Sequence, residues 1–103
     1  IGTNGGVTCD ARVEQSVLKD CEKSDNYKIV LNGRFKGGLT TRRYGSPEDG
    51  VHAIQMELAQ STYLAAETPP WAYDAGKATR LRAHLSRILH NLAELAPYLK
   101  DRA

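Results

Sequence analysis

Glu57 is the residue whose type and place most invite chemistry. It lies near the C-terminal end of a segment, 51–58, that is otherwise mostly apolar. Burying a carboxylate is unfavourable unless it is paired or hydrogen-bonded, so a Glu there needs a reason. Open α/β sheets gather their sites at the carboxyl ends of strands. A Glu in that place can act as general base or acid on a water. The competing readings are a structural ion pair with a nearby basic residue, or a simple edge position.

Residues 28–43 carry Lys28, Arg34, Lys36, Arg42 and Arg43 and no acid. Such a cluster beside glycines suggests an anionic partner, with a solvated basic face as the plain alternative. Arg34, Lys36 and Arg42 can hold a carboxylate or phosphate, and the planar fork of Arg grips two oxygens at once. The glycines let the backbone approach a ligand closely. Nucleic acid is the rival partner, with Phe35 and Tyr44 as stacking platforms. A net charge of +2 is weak for a dedicated nucleic-acid binder.

The remaining motifs are weaker. Residues 45–50 have the glycine spacing of a P-loop, but Val51 and His52 follow where Lys and Ser or Thr are required. His84 and His90 fall on different faces of one helix, and no HExxH pattern occurs. His84 is expected to face solvent, and the direction of His52, where loop meets strand, is left open. Cys9 and Cys21 are too far apart for a CxxC and too few for a disulfide framework. They read as reduced thiols of a cytoplasmic protein, with Cys21 packed on a helix face.

These groups need elements to hold them. Residues 2–9 are a glycine-rich loop. Val13, Val17 and Cys21 recur every four residues, which predicts a helix over 10–23 capped by Asp10. Residues 27–31 read as a buried strand. Asn32-Gly33 taken alone predicts a hairpin turn into 34–36. Residues 39–50 read as a loop. Residues 51–58 read as a second, central strand, against a competing helix over 52–62. A long helix is predicted over 73–96, with Asp74 as cap and Leu81, Leu85, Ile88, Leu92 and Leu95 as one apolar stripe. Pro97 stops it.

The chain has 103 residues, enough for one domain, with 41% hydrophobic residues and 25% charged ones. That excludes a collagen-like or low-complexity chain. Its apolar runs are only a few residues long, so no membrane span is expected.

Three ordered blocks are more specific than any of these motifs. Ile1-Gly2-Thr3-Asn4-Gly5-Gly6 is followed shortly by Cys9. Val30-Leu31-Asn32-Gly33-Arg34-Phe35-Lys36-Gly37-Gly38 runs into Thr41-Arg42, then Tyr44-Gly45 and, one residue on, Pro47. Gly50-Val51-His52-Ala53-Ile54-Gln55-Met56-Glu57-Leu58-Ala59-Gln60 is followed by Tyr63. Through them the chain resembles the C-terminal part of the N-formylglutamate amidohydrolase family.

The resemblance implies a fold similar to zinc carboxypeptidases and aspartoacylase, an α/β mixed sheet flanked by helices. It implies one partial domain spanning 1–103. The implied reaction is metal-dependent hydrolysis of N-formyl-L-glutamate, a small-molecule substrate, to formate and L-glutamate. A divalent metal, zinc by the resemblance, would polarise the formyl carbonyl and acidify a water. Glu57 matches the proton-shuttling Glu of that broader fold. Arg34 and Arg42 would clamp the two substrate carboxylates. Asn32, Lys36, Thr41 and His52 match the motif with their individual roles open.

Two departures accompany the match. The metal-ligand blocks of the family, one like His-Ala-Gly and one like Asp-x-His-Ser, do not occur, so no metal ligand is expected in this segment. Arg43 stands where the family usually shows His. The chain, which opens on Ile1 without Met, is therefore expected to be the C-terminal portion of a larger enzyme, inactive alone. The alternative is a non-catalytic basic module that binds a small dicarboxylate or nucleic acid.

Overall fold

A computed structural model of the chain describes residues 1–100. Three α-helices, α1 (Ala11–Glu22), α2 (Leu39–Tyr44) and α3 (Ala75–Leu95), are joined by extended segments and three short 3-10 turns. The two long helices form where their periodicity places them. Asp10 caps α1 by accepting the Arg12 N–H at 2.8 Å. The Arg12 side chain and amide hold the Asp10 carboxyl well below the usual carboxylate range. Asp74 caps α3 by accepting the Lys77 N–H at 2.9 Å.

Helices α1 and α3 pack together because each carries one apolar stripe. Val17, Cys21 and Ile88 form the core, with Ile1, Ile29, Ile54, Met56, Leu85 and Leu92 packed around it. The same interface buries Asp20, whose Oδ2 accepts from Asn91 Nδ2 at 2.8 Å while Lys23 stands 3.8 Å from its other oxygen. Past Leu95 the chain winds on through a 3-10 turn, Ala96–Lys100, and Pro97 sits within that turn. No helix among the described residues is long and apolar enough to cross a membrane.

The mixed sheet expected from the sequence is not formed. Among the described residues there is no strand, only isolated antiparallel bridges at Gly2–Gln55, Ser46–Val51 and Leu64–Tyr73. About half of the chain is helical instead. The reason lies in partners rather than propensity. Segments 27–31 and 51–58 are not helical, but a ladder needs a neighbour that stays extended over several residues. Their common neighbour is 1–4. On one side Ile1 donates its amino group to Val30 O and accepts from Asn32 N–H, and Asn4 N–H reaches Lys36 O. On the other side Gly2 and Gln55 exchange two 2.9 Å bonds.

Then Asn4, Gly5 and Gly6 all turn to positive φ and break the run of pairing, which meets segment 51–58 again only at Thr8, whose backbone oxygen accepts the Ala53 N–H at 2.9 Å. Gly2 suits its place between the two segments, since a Cβ there would lie 2.8 Å from the Lys36 backbone.

Three further expectations change. Asn32 adopts φ 52°, but Gly33 does not follow it to positive φ as a two-residue Asn-Gly hairpin turn requires, and 34–36 does not fold back on 27–31. The loop expected over 39–50 contains α2 and a 3-10 turn at Pro47–Asp49. Only Thr41 of α2 is buried, so the helix has no apolar periodicity to read. The competing helix over 52–62 is also absent, apart from a 3-10 turn at Gln60–Thr62.

Cys9 and Cys21 are free and buried, at 3% and 5% exposure. Burial pushes the Cys9 thiol up to about 11 and raises that of Cys21. Both thiols are therefore protonated at neutral pH and almost fully buried, and the reactive species is the thiolate. Iodoacetamide at pH 8 is expected to leave both unlabelled in the native protein and to label both in denaturant. Mass spectrometry reads the difference, and rapid native labelling would contradict this packing.

Candidate functional site

One groove of the molecule is an open cavity of about 680 Å³. Arg34, Phe35, Met56 and Glu57 are among the residues that line it, with Cys21 and Leu81 of the packed helices contributing. The structure thus brings Arg34 and Glu57 to one cavity, although they are far apart in sequence. The Arg34 guanidinium lies 5.8 Å from the Phe35 ring centre. Tyr27 and His84 also line the groove, their rings 5.1 Å apart and tilted by 30°. His84 is therefore half-buried rather than facing solvent as expected.

Glu57 is exposed, not buried as its apolar flanks suggested, because no sheet covers segment 51–58. It makes no ion pair among the described residues. Instead its Oε2 accepts from Gln55 Nε2 at 3.1 Å. Gln55 Oε1 in turn accepts from Gly38 N–H at 2.6 Å and from the Thr41 hydroxyl at 3.4 Å. The carboxylate is thereby linked to the first turn of α2. Thr41, a candidate from sequence, belongs to this cluster through Gln55.

Sequence reasoning passed over Gln55. A signal existed: in an extended segment residues two apart share a face, so Gln55 and Glu57 form a polar pair on an otherwise apolar run.

The other candidates divide. Asn32 is committed to the scaffold. Its Oδ1 accepts Thr3 N–H at 2.9 Å and its Nδ2 donates to Thr3 Oγ1 at 2.8 Å. The fully buried Thr3 hydroxyl donates to Glu14 at 2.6 Å. His52 also does structural work: its Nδ1 accepts the Asp10 N–H at 2.9 Å, just before α1. Lys36 and Arg42 are exposed. Neither makes an ion pair among the described residues, so the cationic segment stays uncompensated.

These residues do not build a metal centre. Among the described residues no three His, Cys, Asp or Glu side chains come together. Both cysteines are buried thiols, and His52 is engaged by Asp10. A metal ion needs several convergent, deprotonated ligands, which this donor set does not offer.

A sequence model of the family described as N-formylglutamate amidohydrolase matches residues 1–64, which include every candidate above except His84. The chain is 47% identical over 92 residues to an N-formylglutamate deformylase of Pseudomonas aeruginosa, covering 89% of this chain and 34% of that protein. It is 42% identical over 92 residues to an N-formylglutamate deformylase of Pseudomonas putida, with 89% and 34% covered. The chain thus spans about a third of the length of these relatives. No solved structure matches it.

Proposed function

Because the chain belongs to the N-formylglutamate amidohydrolase family, we propose that it contributes to the hydrolysis of N-formyl-L-glutamate to formate and L-glutamate. The observation that carries this reading is the meeting of Arg34 and Glu57 at one groove, neither of them in an ion pair among the described residues. Glu57 takes a proton from the attacking water as its oxygen bonds to the formyl carbon. It returns that proton to the nitrogen as the C–N bond breaks. Arg34 binds one substrate carboxylate through its fork, and Arg42, exposed on α2 and not among the residues lining the groove, is assigned the other. Lys36 adds positive charge to the same segment. The divalent metal of the reaction, zinc on this reading, is held by residues other than those described.

Arg34→Met in the full-length protein carrying this sequence tests the clamp. It is expected to raise KM for N-formyl-L-glutamate about 10- to 150-fold, the range for losing a charged hydrogen bond worth roughly 1.5–3 kcal/mol. The kcat is expected to change much less. Steady-state formate release gives both numbers. N-formylglycine, which lacks the side-chain carboxylate, is expected to be turned over poorly. If it is used as well as N-formyl-L-glutamate, or if Arg34→Met leaves KM alone, the dicarboxylate clamp is wrong.

A further inference from the structure

We infer that Gln55 is a positioning residue for Glu57, its side-chain amide tying the carboxylate to the Gly38–Thr41 corner of α2. This rests on the role proposed above for Glu57. The amide can face only one way. Gly38 N–H, at 2.6 Å, requires an acceptor, so Oε1 must lie on that side, where the Thr41 hydroxyl also donates. Nε2 is left to face the Glu57 carboxylate, which can only accept. A flipped amide would set donor against donor at one end and oxygen against oxygen at the other.

The anchor is firm at three points. The Gln55 backbone is held by its two 2.9 Å bonds with Gly2. Its side-chain oxygen accepts the 2.6 Å bond from Gly38 N–H, at a position where the absence of a Cβ leaves room for it. Its amide nitrogen then fixes Glu57 Oε2. Glu57 Oε1 accepts no hydrogen bond among the described residues. One oxygen is thus tethered and the other is left for the proton in transit. A proton-transfer group held by such a tether keeps its angle to the substrate, which a long, exposed Glu side chain would otherwise lose.

Gln55→Glu separates positioning from simple anchoring. Its carboxylate still accepts from Gly38 and Thr41, but it cannot donate to Glu57 and sets a like charge against it. In the full-length protein this variant is expected to lower kcat about 10- to 100-fold, with KM for N-formyl-L-glutamate and thermal stability little changed. Combined with Glu57→Gln it is expected to be no slower than Glu57→Gln alone, the mark of two residues acting through one step. Wild-type kcat in Gln55→Glu, beside an inactive Glu57→Gln, would overturn the positioning role and leave Glu57 standing. An active Glu57→Gln would instead overturn the reading of Glu57, and this inference with it.

If Gln55→Glu does not fold, the unsubstituted protein decides. The side-chain amide protons of Gln55 are expected to differ in NMR shift between the unsubstituted protein and Glu57→Gln. An amide resonance indifferent to that exchange would reject the contact.

Discussion

Glu57→Gln in the full-length protein is expected to cut kcat for formate release by about 10²–10⁴-fold, the usual contribution of a positioned acid–base group. Gln matches Glu in size, and its carbonyl oxygen can still accept from Gln55 Nε2. What it cannot do is take up a proton from water and hand it on to the leaving nitrogen. KM should therefore change little, since the substrate carboxylates are assigned to Arg34 and Arg42. Rate loss without loss of binding is the signature of an interaction made in the transition state. Undiminished turnover would remove Glu57 from the mechanism. A large rise in KM with unchanged kcat would recast it as a substrate-orienting group.

The largest effect on stability is expected at Ile88. The residue is 3% exposed and completes the core with Val17 and Cys21. Truncation to Ala removes buried methyl and methylene groups and leaves a cavity that the α1–α3 interface can fill only in part. Such changes cost about 2–5 kcal/mol, and in a chain of this size each kcal/mol lowers the melting temperature by about 4–8 °C. Leu89, one residue on, is 66% exposed. Leu89→Ala is expected to stay within about 0.5 kcal/mol of the parent. Comparable losses at both positions, measured by thermal or urea unfolding, would mean that α3 does not pack by this face.

The contrast between these two leucine-like neighbours shows why the helices were legible. Val13, Val17 and Cys21, and likewise Leu81 and Ile88, recur at helical spacing, and Asp10 and Asp74 stand where caps belong. Each of these signals is local and consistent with the next. Helix α2 lacked such a signal. Six residues with one buried Thr leave no stripe, and its start at Gly38 has no side-chain cap.

The candidate site was legible in part. Glu57 and Arg34 were named from charge, flanks and ordered motif blocks, and they do share a groove. Asn32 and His52 were named by the same motif, yet both are turned to the scaffold, one toward Thr3 and one toward Asp10. A motif records which residue types stand together. It does not record which of them face a ligand and which hold a loop.

By itself the sequence determined the family, the two long helices with their caps and buried stripes, and the charge pattern of 28–43. Those features depend on order and spacing along the chain. Only the tertiary structure decided that 27–31 and 51–58 do not form a sheet, that Glu57 is exposed and tied to Gln55, and that Thr3 binds Asn32. Each of these depends on what lies beside a segment in space. An extended segment becomes a strand only when a neighbour supplies several successive backbone bonds. Here residues 1–4 supply bonds to both sides and then turn away at Asn4–Gly6.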